Sequence, residues 1–163
     1  MKIGFIGLGN MAAAMIGGML GTGAFHAEEI VGSARTQETA DRIRRQYGIA
    51  AGTDNRETAG QADVLILAVK PVFMPEVIAE VRDLVDGERT LVISIAAGRS
   101  IDWIEKEFGK TLRIIRCMPN TPAMVGEGCT CVCLKETFSD RCVYDNDREL
   151  ALRIMNSFGK ASI

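Results

Sequence analysis

Short apolar runs alternate with amphipathic stretches along most of the 163-residue chain. The first run, Lys2 to Ile6, stops at a glycine cluster and predicts a buried strand. Asn10 to Leu20 is rich in Ala, Met and Gly, small enough for a helix to lie close against a sheet. Ile30 to Ser33 predicts a second strand, and Thr36 caps a polar helix that keeps Ile43 and Tyr47 on one side. A weak third strand falls near Ile49 to Ala51. Asp63 to Val69 is apolar after its first residue, as a strand covered on both faces should be.

Lys70-Pro71 opens the next helix, with Pro near the first turn, where its missing N–H costs nothing. Val77, Ile78, Val81, Leu84 and Val85 form the apolar stripe of that helix. Thr90 to Ala96 predicts a buried strand, Ser100 the N-cap of a helix through Phe108, and Gly109 its terminator. Leu112 to Cys117 predicts a sixth strand. Two prolines in Met118-Pro119-Asn120-Thr121-Pro122 then forbid continuing a central strand or a helix. Cys129 to Leu134 is read as a last strand and Asp145 to Phe158 as a last helix, with Leu150, Ile154 and Phe158 at helical spacing and Gly159 at its end. Strands and helices in alternation, joined by short connections, predict an α/β fold: a doubly wound, mainly parallel sheet in one domain over residues 1–163.

Charge narrows the function. Nineteen Lys and Arg against 21 Asp and Glu leave a net charge of −2, with no basic stripe and only 6% aromatic residues, which argues against nucleic-acid binding. The longest apolar runs, such as Val64 to Val69 and Leu91 to Ala97, fall far short of the ~20 residues that span a bilayer. The N-terminus carries no signal-peptide core. Five cysteines, an odd count that includes Cys142, fit free thiols in a reducing compartment, so a cytoplasmic location is expected. Cys129, Cys131 and Cys133 share one side of their strand and are expected to be buried as small hydrophobes; their spacing does not suit zinc, and no metal site is predicted. His26, the only histidine, reads as an ordinary surface residue beside Phe25 in a helix-to-strand connection, which argues against a Ser-His-Asp triad, and no catalytic residue is assigned.

The candidate chemistry lies in Gly7-Leu8-Gly9-Asn10-Met11-Ala12, a G-x-G-x-x-A turn between a strand and a small-residue helix. Gly7 permits the tight turn, Gly9 leaves no side chain between backbone and pyrophosphate, and Ala12 lets the helix pack closely on the strand. The helix N-terminus then offers unpaired N–H groups to phosphate.

An NAD site usually places an acidic residue at the end of the second strand. Here that strand ends in Ser33-Ala34-Arg35-Thr36. The hydroxyls of Ser33 and Thr36 and the Arg35 guanidinium suit a 2′-phosphate instead, so NADP(H) is preferred, NADPH over NADH. The alternative is that Arg35 is a solvated charge and Thr36 only an N-cap. Ligands of parallel sheets sit beyond the carboxyl ends of the strands, here Gly7 to Gly9, Ser33 to Arg35, Ala68 to Pro71, Ala96 to Gly98 and Met118 to Thr121. Lys70 is the flexible cation near the middle of that row, poised for cofactor, substrate or solvent.

Together, Met1 to Ala12, Ala68-Val69-Lys70-Pro71, Ser94 to Gly98 and above all Arg116-Cys117-Met118-Pro119-Asn120-Thr121-Pro122 with Val125-Gly126-Glu127-Gly128 closely resemble pyrroline-5-carboxylate reductase. The resemblance covers essentially the whole chain. It implies reduction of the C=N bond of 1-pyrroline-5-carboxylate by NAD(P)H to give L-proline, the last step of proline biosynthesis. It further implies cofactor contact by Ile6, Gly7, Leu8, Gly9, Asn10 and Met11, by Ser33, Arg35 and Asn55, and by Ala68, Val69, Lys70 and Pro71. Ala96, Ala97 and Gly98 are implied as well, with Asn120 and Thr121 near the nicotinamide and the substrate.

The family's enzymes continue into a helical domain through which they oligomerise and which completes the substrate site. The present chain stops at Gly159 to Ile163, so the expectation is a cofactor-binding piece that binds NADPH with little reductase activity of its own. Helix Asp145 to Phe158 lacks whatever would follow it, so the isolated domain is expected to expose apolar surface and to self-associate. An NADPH-binding sensor without catalysis is the alternative function. A reductase using a deazaflavin is a third reading, against which the Met118 to Gly128 segment counts.

Overall fold

The computed structural model describes residues 1–135 and 141–163, the side chains of 141–143 excepted, so the state of the Cys142 thiol lies outside the described residues. Its elements are β1 (Ile3–Ile6), α1 (Asn10–Gly21), β2 (Ile30–Ser33), α2 (Gln37–Tyr47), β3 (Ala50–Gly52), α3 (Asn55–Gln61) and β4 (Val64–Leu67), followed by α4 (Met74–Val81), β5 (Leu91–Ser94), α5 (Ile101–Phe108), β6 (Arg113–Met118), β7 (Gly128–Leu134), α6 (Arg141–Met155) and β8 (Gly159–Ser162). The strands form one sheet in the order β3-β2-β1-β4-β5-β6-β7-β8. Neighbours run parallel throughout except β6 and β7, which are antiparallel. The chain winds outward from β1 to β3, then crosses back to place β4 on the other side of β1. That reversal opens a crevice at the carboxyl ends of β1 and β4, where parallel sheets bind ligands.

Side-chain alternation builds two cores. Ile3, Phe5, Ile66, Ile93 and Cys117 face α1, α2, α6 and the 3₁₀ turn after α6, where Met15, Ile16, Met19, Ile43, Ile154 and Phe158 are fully buried. Leu65, Leu67, Val92 and Ile114 face the other way, onto Ala59 of α3, Met74 and Ile78 of α4, and Ile104 and Phe108 of α5. Caps stop and start the helices where their residue types direct: Thr36 and Ser100 accept N–H groups at the starts of α2 and α5, and Gly48 and Gly109 end these helices in left-handed conformation. Arg113 of β6 pairs with Asp147 of α6 in a bidentate bridge (Nε to Oδ2, 2.9 Å) that fastens the last helix to the sheet.

Several expectations need correction. The helix expected from Lys70-Pro71 begins as a 3₁₀ turn, Pro71–Phe73, and becomes α-helical only at Met74. It ends at Val81, so Leu84, though placed in the stripe, is partly exposed, whereas Val85 is buried. The three thiols of β7 are exposed: Gly128, Thr130 and Val132 take the buried side, and Cys129, Cys131 and Cys133 point to the opposite, uncovered side of the strand. Gly159 ends the helical segment, as the C-cap of the 3₁₀ turn Asn156–Phe158 that follows α6, but it also opens β8, so the strand at Cys129 to Leu134 is not the last. There the backbones of Gly128 and Gly159 touch so closely that a Cβ at 159 would lie 2.1 Å from the Gly128 carbonyl oxygen. The last helix, expected to run to Phe158, ends at Met155; it buries Ile154 and Met155, and Phe158 is buried in the 3₁₀ turn Asn156–Phe158 that follows. The exposed large apolar side chains sit elsewhere, at Met118, Met124 and Val125 among others.

Candidate functional site

Backbone hydrogen bonds carry the parallel ladder one residue past the strand ends and align the loops of the crevice. Gly7 N donates to Ser33 O (2.9 Å), Ala68 N to Ile6 O (2.9 Å) and Ala34 N to Gly52 O (2.9 Å). Gly7 adopts φ +94°, and a Cβ there would come within 2.7 Å of the Ala68 carbonyl oxygen, so no other residue fits this turn without strain. Leu8 turns inward: its side chain is buried against Gly32, where any Cβ would meet Leu8 Cδ2 at 2.6 Å.

Gly9 is a different case. Its φ of −78° suits any residue, and nothing of the chain lies within 4 Å of where its Cβ would be. It is the N-cap of α1, with no side chain capping the first turn and no acid within it. The first N–H groups of the helix therefore face an open space that a side chain at residue 9 would enter. This is the arrangement that accepts an anion.

That space belongs to a cavity of about 540 Å³, within the range of small-molecule sites. Gly7, Leu8, Gly9, Ser33, Arg35, Thr36, Asn55, Ala68, Val69 and Lys70, all expected from the sequence, line it. Ile6 is fully buried and offers only its backbone. Asn10 and Met11 stand on the first turn of α1 beside the cavity rather than in its lining. Pro71, Ala96, Ala97, Gly98, Asn120 and Thr121 lie outside the lining, at or just beyond the ends of β4, β5 and β6. Ala96 is buried, whereas Ala97 and Gly98 are exposed. Asn120 holds its own loop, its Oδ1 accepting from Cys129 N at 2.8 Å, and Thr121 opens a 3₁₀ turn, Thr121–Val125.

Polar side chains in the lining form a directed chain. Ser33 Oγ, fully buried, donates to Asn55 Oδ1 (2.7 Å), and Asn55 Nδ2 donates to Glu80 Oε2 (2.8 Å). A carboxylate only accepts, so Glu80 fixes which way the amide faces. Arg56 steadies Glu80 from behind, bonding its carbonyl oxygen (2.6 Å) and pairing with Asp83 (2.8 Å and 2.9 Å). This pairing holds the Asp83 carboxyl below the usual aspartate range.

Thr36 is an N-cap, as its alternative reading has it, accepting from Thr39 N (3.3 Å). Thr36 also lines the cavity. Arg35 is exposed, with its guanidinium 4.7 Å from the centroid of the Phe73 ring. Lys70 is exposed too, whereas Arg99, the cation after Gly98, lies against Trp103 (4.3 Å).

Thr39, Arg42, Thr53, Phe73, Glu76 and Glu80 line the cavity without having been singled out in the sequence. The available signal is spacing. Thr36, Thr39 and Arg42 recur every three residues from the N-cap of α2, and Phe73, Glu76, Val77 and Glu80 every three or four from the N-cap of α4, so each set lies on one side of its helix. Among the described residues no group of three or more His, Cys, Asp or Glu could hold a metal ion. Nor is any helix among them long and apolar enough to cross a membrane.

A parallel sheet with this strand order, a glycine turn at the switch point and a bare helix N-terminus behind it define a Rossmann-type nucleotide-binding fold. Residues 2–98 match the family described as NADP oxidoreductase, coenzyme F420-dependent, and the chain belongs to that family. It is similar to the pyrroline-5-carboxylate reductase of Escherichia coli, with 36% identity over 162 residues covering 99% of this chain and 58% of that protein. Among solved structures, it resembles a pyrroline-5-carboxylate reductase from Coxiella burnetii (TM-score 0.90, 36% identity, covering 98% of this chain and 57% of the other). A Plasmodium falciparum pyrroline carboxylate reductase with NADP bound is also similar (TM-score 0.82, 27% identity, covering 99% and 56%). The chain thus spans less than three-fifths of the length of each of these relatives.

Proposed function

We propose that this chain is the cofactor-binding part of a pyrroline-5-carboxylate reductase and that its cavity takes NADP(H), NADPH in preference to NADH. The observation that carries the reading is Gly9: the fold leaves its Cβ position empty, directly in front of unpaired helix N–H groups. A pyrophosphate fits there on charge, since the first turn of α1 holds no acid and Arg35, Arg42 and Lys70 line the same cavity. Asn10 and Met11 would add backbone N–H groups to the phosphates. Ser33, Thr36, Arg35 and Asn55 would hold the phosphorylated ribose. Ala68 to Pro71 would lead the cofactor past β4, and Ala96 to Gly98 would carry its nicotinamide end toward Asn120 and Thr121.

When bound, the cofactor supplies hydride for an imine carbon of 1-pyrroline-5-carboxylate, giving L-proline. What this chain does is bind and orient. No acid or base of its own is needed at the imine, since a protonated C=N bond is already electrophilic. Reduction depends on holding donor and acceptor at about 3–3.5 Å. The loops after β5 and β6 lie outside the lining of the cavity, and we place the rest of the substrate pocket in the relatives' greater length, so this chain alone is expected to turn over slowly. There we also place the contacts through which the whole enzyme oligomerises. The free thiols of Cys117, Cys129, Cys131 and Cys133 favour a cytoplasmic setting.

Calorimetric titration with NADPH and NADH tests the reading. Saturable binding, tighter for NADPH, is expected; no binding of either cofactor would refute it. The absence of NADP(H)-dependent imine reduction even after adding the remaining portion of the Escherichia coli relative would favour a sensor role instead.

A further inference from the structure

Arg35 and Phe73 reach the cavity from opposite sides of the topological switch, one from the end of β2 and the other from the connection after β4. We propose that Phe73 is a positioning residue for cofactor selectivity: its ring holds the Arg35 guanidinium over the cavity, ready for the 2′-phosphate. The inference rests on the reading that Arg35 meets that phosphate.

The geometry is direct. The guanidinium carbon lies 4.7 Å from the ring centroid, inside the ~6 Å reach of a cation–π contact. Among the described residues Arg35 has no carboxylate partner, although Glu76 and Glu80 line the same cavity. A long exposed side chain without such a contact samples many rotamers, and ordering it costs binding energy. A ring beneath it removes part of that cost beforehand. It also leaves the guanidinium edge, with its N–H donors, free to bond phosphate oxygens.

Phe73 is itself well held. Pro71 starts the 3₁₀ turn with a fixed φ, Phe73 N donates to Lys70 O (2.9 Å), and the next residue, Met74, is fully buried. The ring is half-buried, so it stands on a braced turn rather than a loose loop.

The test compares Phe73→Leu, Phe73→Trp and Arg35→Ala by calorimetric titration with NADPH and NADH, with melting temperature as the check on folding. Phe73→Leu is expected to lower the NADPH-to-NADH affinity ratio by about two- to fivefold, the scale of an exposed cation–π contact, with NADH affinity nearly unchanged. Phe73→Trp restores or exceeds the original ratio. Arg35→Ala lowers the ratio further, and adding Phe73→Leu to it changes the ratio no more. Equal losses for both cofactors in Phe73→Leu would overturn the proposal and mark Phe73 as a direct contact of the part the cofactors share. An unchanged ratio in Phe73→Leu beside a lowered one in Arg35→Ala would overturn the positioning role and leave the Arg35 reading standing. An unchanged ratio in Arg35→Ala would remove both.

Discussion

Gly7 and Ala68 are in contact across the topological switch: the Cα of one faces the carbonyl of the other, 2.7 Å from where a Cβ would lie. This contact draws the first βα turn against the end of β4 and sets the floor of the cavity. Gly7→Ala must accept both a positive φ and a clash with backbone, so a loss of about 2 kcal/mol or more is expected in chemical denaturation. A variant as stable as the parent would show that the turn relaxes without cost.

The Ser33–Asn55 hydrogen bond gives a second prediction. Ser33 is fully buried, and Asn55→Ala removes the acceptor of its hydroxyl as well as the donor to Glu80. Destabilisation by about 1–3 kcal/mol is expected, the cost of stranding a buried polar group. Ser33→Ala in the same background should recover part of it, which a double-mutant cycle in urea measures.

Acid stability should depend on the α3–α4 clamp. The Arg56 guanidinium, through its hydrogen bonds, holds the Asp83 carboxyl below its ordinary value of 3.8. A depressed carboxylate stabilises the fold above its unfolded value and ceases to do so as pH falls through its folded value. Asp86, held low mainly by the backbone N–H of Glu88, acts in the same direction. Asp83→Asn should therefore lose less stability than the parent between pH 5 and pH 2, followed by melting temperature; an identical acid limb would contradict it.

Thiol reactivity separates the two faces of the sheet. Burial pushes the Cys117 thiol up to about 12, so it stays protonated at pH 8 and is shielded by the core. Cys129, Cys131 and Cys133 are exposed. In the variant with all three changed to Ser, alkylation at Cys117 should require unfolding, read by peptide mass. Rapid labelling of Cys117 in the native variant would contradict the assigned register.

These two faces also explain which parts of the structure were legible in the sequence. The strands buried on both sides, such as Val64–Leu67 and Leu91–Ser94, announce themselves as apolar runs, and the caps Thr36, Ser100 and Gly109 mark helix ends by residue type. Helix α3, Asn55–Gln61, has no apolar stripe; its cue is the Asp54 N-cap, which accepts from Arg56 N and Glu57 N. Strand β8 reads Gly-Lys-Ala-Ser and owes its place to pairing with β7 at the sheet edge, not to its own hydrophobicity. Residues β-bonded in this way carry no local signal.

The thiols of β7 show the limit of periodicity. A spacing of two puts Cys129, Cys131 and Cys133 on one face, but period alone does not say which face the packed helices cover, and here it is the one that carries Val132. For the site, the turn and strand ends were legible because glycine and small residues have few other uses there. Arg42, Phe73 and Glu80 were not, since α2, the turn before α4, and α4 bring them to the cavity only once these elements have packed.

Gly9→Ala tests the central claim, because the fold reserves space at residue 9 that the chain itself never fills. The φ of −78° admits alanine, so the free variant should melt within about 1 kcal/mol of the parent. Titration with NADPH should nevertheless show affinity reduced by at least about tenfold, as the methyl group stands where the pyrophosphate must approach the helix. Binding equal to that of the parent would mean that the cofactor, if held at all, does not sit in the glycine turn.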